Sequence, residues 1–213
     1  MSDTLATVIQ TLTNNWEIIL FCAFAFSVTI QLFYYLFFYL RIVLFKSAES
    51  VSSQKPVSVV ICARDEEENL QKNIPLVATQ TYPNNEVFII LDACVDDSIN
   101  VMKKLVTEYT NLRYTVIVKD EKFFHGKKLA LTVGIKGAKH ELLVLTDADC
   151  KPASNEWLVR MVSHFEKGSD IVLGYGKFEA EKTFLNKMIR YDAFFIGQQY
   201  LGMAMAGIPY MGV

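Results

Sequence analysis

The residues best suited to chemistry are acids that follow short apolar runs. Arg64-Asp65-Glu66-Glu67-Glu68 follows VSVVICA, Asp92, Asp96 and Asp97 follow EVFIIL, and Asp147-Ala148-Asp149 follows LLVLT. A single acid at such a place is explained by a helix start, where a carboxylate satisfies free backbone N–H groups and meets the positive end of the helix dipole. Glu68 and Asp97 read that way. Asp147 and Asp149 read differently. Positions i and i+2 at a strand end point to one side, and two carboxylates held together repel unless a cation lies between them. A hard divalent ion, Mg2+ or Mn2+, suits that pair and leaves coordination positions for phosphate oxygens.

Phe123-Phe124-His125-Gly126-Lys127-Lys128 is a glycine-bearing basic loop that enters a helical pattern. Two readings stand side by side: a helix N-terminus with Lys127 reaching toward an anion, and a pair of solvated lysines. His125 reads as a loop residue, because no second His or Cys lies at ligand spacing. Neither GxxxxGK[ST] nor GxGxxG occurs, which argues against a P-loop NTPase and a dinucleotide-dependent oxidoreductase.

The elements that must position these residues alternate in type. The β-branched run Val57 to Ala63 predicts a strand buried on both faces, and Leu70, Ile74 and Val77 then fall at helical spacing. Further strands are expected over Glu86–Leu91, Tyr114–Val118 and Leu142–Thr146, with a fifth opening at Ile171–Leu173. Between them lie a helix through Met102, Leu105, Val106 and Tyr109, one over Lys127–Ala138 with a face of small residues, and one through Leu158, Met161, Val162 and Phe165. Such βαβα order implies an α/β, Rossmann-like, mostly parallel sheet with flanking helices. Ligands of such sheets bind beyond the carboxyl ends of the strands, where the acids stand.

The segment before residue 46 is of another kind. Ile18 to Leu40 carries no charged side chain; as a helix it would reach roughly 34 Å, enough to cross a hydrocarbon core of about 30 Å. Phe33, Tyr34, Tyr35, Phe37, Phe38 and Tyr39 gather late in the span, as in an interfacial belt. Residues 1–40 contain no Lys or Arg, unlike the start of a signal peptide. Asp3 and Glu17 precede the span while Arg41, Lys46 and Lys55 follow it, which places the N-terminus outside and the rest in the cytoplasm. The expected organisation is an N-terminal segment 1–46 with one transmembrane helix at about 18–40, a polar linker 47–55, and a domain over 56–213. A net charge of −2 argues against nucleic-acid coating. Cys22, Cys62, Cys94 and Cys150 form no CxxC pair, so neither a zinc site nor a disulfide framework is indicated.

Together these segments resemble glycosyltransferase family 2, whose catalytic domain has the GT-A fold. The resemblance runs in order through PVSVVICARDEEENL, QTYPNNEVFIILDACVDDS and HGKKLALTVGIKGAKHELLVLTDADC to the helix around Trp157, over roughly residues 56–176. It implies that Ala63 and Glu66 line the uridine and ribose, with Asp65 in place of the usual Asn. It also implies that Asp92 hydrogen-bonds the nucleotide base, that Lys127 lies beside the diphosphate, that Asp147 is near ribose and sugar, and that Asp149 reaches the metal. Leu91 stands where many members have another Asp.

The family's general base and its later QxxRW motif do not appear before Val213, and neither Asp170 nor Glu179 has the context of a base. The chain therefore reads as the donor-binding half of an enzyme, inactive alone. The implied reaction is metal-dependent, inverting transfer of a sugar from a nucleotide-diphosphate donor, a UDP-sugar, to a lipid-linked or polysaccharide acceptor. The alternatives are a non-catalytic nucleotide-sugar-binding membrane module and a nucleotidyltransferase. Thr183 to Met205, rich in Phe, Tyr, Met and Leu, reads either as a buried helix or as one lying along a bilayer.

Overall fold

A computed structural model describes residues 15–45, 55–119, 126–165 and 168–209. The loop Phe123-Phe124-His125 and residues 47–54 of the expected linker lie outside the described residues. The chain divides into two compact units, Glu49–Gly174 and a second made of Met1–Ala48 with Tyr175–Val213.

The first unit holds a sheet of four parallel strands, β1 (Val57–Ala63), β2 (Asn85–Asp92), β3 (Leu112–Ile117) and β4 (Leu142–Asp147), in the order β3-β2-β1-β4. The central strands β1 and β2 are buried on both faces, which is why they read as continuous apolar runs. Alternate residues feed two cores. Val59, Ile61, Ile89 and Leu91 pack with helices α2 (Glu67–Ala78), α3 (Ser98–Glu108) and α5 (Trp157–Ser163), while Val60, Phe88 and Ile90 pack with α4 (Lys127–Gly137).

The α4 helix sits unusually close to the sheet because its inner face is small. Ala130, Gly134 and Gly137 form that face at i, i+4 and i+7. A Cβ on Gly134 would lie 2.5 Å from Val60 Cγ1, and one on Gly137 2.8 Å from Phe88 Cε1. The end of the helix is then locked by Glu86, which is 4% exposed. Its Oε1 accepts from Ser58 Oγ at 2.5 Å and from the Lys139 N–H at 2.5 Å, and its Oε2 accepts from Arg113 Nε at 2.7 Å. Arg113 also donates to Gly137 O and lies over the Phe88 ring. The His140 N–H donates to Ser58 Oγ at 3.0 Å.

The fifth strand expected at Ile171–Leu173 is not formed. Residues 169–182 carry no regular structure, and Ile171 is 79% exposed. The apolar run is only three residues long and is bounded by Asp170, Gly174 and Gly176, too short to hold a ladder at the edge of a sheet. The remaining strands and helices of this unit form where expected, with ends shifted by one or two residues.

In the second unit, α1 (Trp16–Leu44) is long and apolar enough to cross a membrane. It contains one π-helical turn at Tyr35–Tyr39. Only Phe38 in it is buried. Helix α6 (Phe184–Met205) packs against the later part of α1 through Gly202, where a Cβ would stand 2.9 Å from Phe38 O, and Arg41 Nη1 donates to Met205 O at 3.4 Å. The buried-helix reading of Thr183–Met205 is corrected, since Gly197 and Gly202 are its only buried residues. Thr183 caps the helix by accepting the Asn186 N–H.

Burial alone would raise the Glu86 carboxyl, but hydrogen bonds from Arg113, Ser58 and the Lys139 N–H outweigh it and hold the group at about 2. A folded-state value below the ordinary one means stabilisation that is complete above pH 4.5 and lost as pH falls toward 2. Glu86→Gln should cost about 2–3 kcal/mol at pH 7, and the gap to wild type should shrink below pH 4. Denaturant unfolding of the α/β unit at pH 7 and pH 3 checks both statements. An undiminished gap at pH 3 would contradict them.

Candidate functional site

Register decides which of the strand-end residues meet. Cys62 pairs with Asp147 across β1 and β4, and Ala63 pairs with Leu91, which puts Asp92 one residue further along β2. By alternation Cys62, Asp92 and Asp147 share the face covered by α4, while Ala63, buried, faces the other core. Lys127 is the first residue of α4, and its Nζ lies 2.8 Å from Asp147 Oδ1. The Lys127 side chain is 70% exposed and so is solvated, and it is at the same time paired with a strand-end carboxylate.

The charges sense one another. The hydrogen bond to Asp147 raises the Lys127 ammonium against partial desolvation, with further help from Cys62 and Asp149. Burial pushes the Cys62 thiol up, Lys127 pulls it down, and Asp147 and Asp92 push it up again. Asp92, Lys127, Asp147 and Asp149 thus gather at one edge of one sheet.

The turn after β4 is fixed from below by a residue that carries no charge. Asn73, 3% exposed, donates its Nδ2–H to Ala148 O at 2.9 Å, between the two acids of the Asp-x-Asp turn. Gln80 extends this fastening: its amide donates to Ser154 O, and its carbonyl accepts the Leu158 N–H. Sequence reading missed Asn73, although an amide set beside Leu70, Ile74 and Val77 on the apolar stripe of α2 was the available signal.

Asp65 and Glu66 lie in the turn after β1, on the loop side of the site. Asp65 has φ 54°, a left-handed conformation that Asp tolerates, and its Oδ1 accepts the Val95 N–H at 2.7 Å. Glu66 precedes α2, and its Oε2 accepts from Asn69 Nδ2 at 2.6 Å. Ala93, at the end of β2, also has a positive φ, of 50°. Two left-handed non-glycine residues at adjacent strand ends are strain held by their surroundings.

Asp96 closes this corner. Its Oδ2 accepts the Glu67 N–H at 2.9 Å and its Oδ1 the Ser98 N–H at 3.1 Å, so one carboxylate serves the starts of both α2 and α3. Burial raises its pKa, and these donors on Ser98 and Glu67 bring it below the ordinary range. Asp97 occupies the position before α3 as expected, but its carboxylate accepts from Asn100 Nδ2 and caps no backbone N–H.

Two groups of donors bear on a cation. Asp65, Cys94 and Asp96 place one donor atom each within 4.8 Å of one another. Their oxygens already accept backbone N–H groups, and burial pushes the Cys94 thiol up, so this cluster suits hard Mg2+ or Mn2+ poorly. Asp147 and Asp149, both exposed and on one fastened turn, offer carboxylate oxygens with no thiol among them, as such an ion prefers, although Lys127 already engages Asp147 Oδ1.

The family model "Glycosyl transferase family 2" matches residues 58–208. The chain belongs to that family. Membership sets the nucleotidyltransferase alternative aside. The chain is 33% identical over 144 residues to Glycosyltransferase AglE of Haloferax volcanii, covering 65% of this chain and 44% of that protein. It is 25% identical over 146 residues to an uncharacterized glycosyltransferase of Haemophilus influenzae, covering 68% of this chain and 41% of that one. It therefore spans less than half the length of these relatives. Among solved structures it is similar to the mannosyltransferase PcManGT from Pyrobaculum calidifontis in complex with GDP-Man and Mn2+, with TM-score 0.52 and 24% identity over 66% of this chain and 43% of that one. The likeness bears on fold alone, and agrees with the GT-A architecture expected from the sequence.

A buried amide bond and an exposed ion pair differ in weight. Asn73→Ala should cost about 1–3 kcal/mol by leaving Ala148 O unmet in the core, whereas Lys127→Ala should cost under about 1 kcal/mol. Equilibrium unfolding of the two variants ranks them; a larger loss in Lys127→Ala would contradict the assignment of Asn73 as the turn's fastener.

Proposed function

We propose that this chain is the membrane-anchored, nucleotide-sugar-binding part of a glycosyltransferase that moves a sugar from a nucleoside-diphosphate donor to a lipid-linked or polysaccharide acceptor. The observation that carries the reading is the gathering of Asp92, Lys127 and Asp147 at the carboxyl edge of the sheet, in a chain of family 2. In this reading the domain spans 56–213. Asp92 binds the base, Ala63, Asp65 and Glu66 shape the nucleoside side, and Lys127 meets the diphosphate. Asp147 contacts ribose and sugar while held by Lys127, and Asp149 with Asp147 holds Mg2+ or Mn2+. A divalent ion at that turn supplies neutralisation of the charge that develops on a leaving diphosphate. Lys127, a cation at the start of a helix, adds to the same stabilisation. The transfer inverts the anomeric centre.

The anchor is α1, with the N-terminus outside and the domain cytoplasmic, supported by Arg41 and Lys55 after the span and by the absence of Lys and Arg before it. The donor is a UDP-sugar. The GDP-Man of the similar structure keeps GDP as the competitor to exclude.

Calorimetric titration of the full chain with UDP, GDP and ADP, with and without Mn2+, tests the site. UDP affinity should rise roughly tenfold with Mn2+, and Mn2+ affinity by the same factor with UDP, because coupling is reciprocal. Asp149→Ala should abolish the coupling and Asp97→Ala should leave it. UDP affinity indifferent to Mn2+ would remove the metal from the proposal. ADP binding as tightly as UDP would remove the uridine assignment.

A further inference from the structure

The unit containing α1 and α6 has a cleft of about 370 Å³ that the nucleotide site does not use. One wall is a single face of α6, where Lys187, Arg190, Tyr191 and Phe194 recur at i, i+3, i+4 and i+7. The other wall is the extended segment before the helix, which contributes Tyr175, Lys177 and Phe178. Two contacts lay that segment along the helix. Asn186 accepts the Glu181 N–H at 2.9 Å and donates to Glu179 O at 3.0 Å. At the far end the Tyr175 ring lies so close to Gly197 that a Cβ there would stand 2.7 Å from it.

The cleft adjoins the late, aromatic part of α1. Tyr191 stacks on Phe195 with ring centres 6.3 Å apart, and Phe195 meets Tyr39 of α1 at 6.3 Å. Arg41 follows two residues later. Phe184, Leu185 and Met188, near the start of α6, are exposed by 77%, 68% and 56%. Among the described residues, no ion pair takes up Lys177, Lys187 or Arg190. Asp192 is two residues from Arg190, and so on another face of the helix. Three available cations between aromatic rings, next to exposed apolar side chains and the end of an apolar helix, match the headgroup layer of a bilayer: rings at the interface, cations on phosphates, alkyl groups below.

We propose that this cleft binds the phosphate headgroup of an anionic bilayer lipid, seated between Lys187, Arg190 and Lys177 with the aromatic rings around its glycerol end. The proposal rests on the reading of α1 as a membrane span. The occupant is a lipid and not a soluble anion, because only a molecule with alkyl chains meets the run of exposed Phe184, Leu185 and Met188 beside the cleft as well as its cations.

The test uses the full chain in detergent, titrated with phosphatidylglycerol or phosphatidylcholine, with bound lipid counted by native mass spectrometry. Phosphatidylglycerol should bind at least about tenfold more tightly than phosphatidylcholine, and K187Q/R190Q should weaken it about thirtyfold, the loss expected for two surface cations. The charge-retaining K187R/R190K should stay within about threefold of wild type. Equal affinity for the two lipids, unchanged phosphatidylglycerol binding in K187Q/R190Q, or displacement by inorganic phosphate at matching concentration would each overturn the proposal. Alkaline carbonate extraction of cell membranes separates the two readings. Release of the chain sinks the membrane span itself, whereas retention together with no lipid preference sinks only the cleft.

Discussion

Glu86 lies at the amino end of the sheet, where it fastens the end of the helix whose first residue, at the opposite edge, is Lys127. A carboxylate buried in that way is tolerable only when its oxygens are met by donors. Here the donors come from three elements: Ser58 on β1, Arg113 on β3, and the backbone just after α4. The bond network therefore does more than satisfy Glu86. It pins the end of α4 to the sheet while Gly134 and Gly137 let the helix lie almost in contact with Val60 and Phe88. A helix of 11 residues spans roughly 16 Å, so its first residue reaches the carboxyl edge of the sheet, where Lys127 meets Asp147.

A second fastening works from the other face. Asn73 on α2 holds the carbonyl between Asp147 and Asp149, and Gln80 holds the loop that follows. The Asp-x-Asp turn is thus fixed by α2 while its partner lysine is fixed by α4. Exposed carboxylates that would otherwise sample many positions are presented together, as preorganised charge requires.

Much of this was legible in the sequence, and the reasons for the misses are physical. Continuous β-branched runs announced β1 and β2 because parallel strands under helices on both faces have no polar side, and the small residues of α4 announced its close seat. The acids at strand ends were legible because a parallel sheet leaves one edge for ligands. What could not be read was pairing. Glu86 looks like the polar first residue of a strand until Arg113, 27 positions later, is brought beside it. Asp96 and Asp97 are neighbours of one type, and only the folded turn shows that the Asp96 carboxylate accepts the Glu67 N–H while Asp97 meets Glu67 through its own backbone N–H. The expected strand at Ile171–Leu173 failed for the converse reason, since three apolar residues predict a strand only where a partner edge receives them.

The central claim is that donor binding takes place at the carboxyl edge of the sheet, on the turns that α2 and α4 hold. Hydrogen–deuterium exchange on the full chain, with and without UDP and Mn2+, tests it most directly. The account predicts added protection in the backbone around Ala63–Glu67, Asp92–Asp96, Gly126–Ala130 and Asp147–Cys150, and little change along α1. Protection elsewhere, with those four segments unchanged, would contradict it.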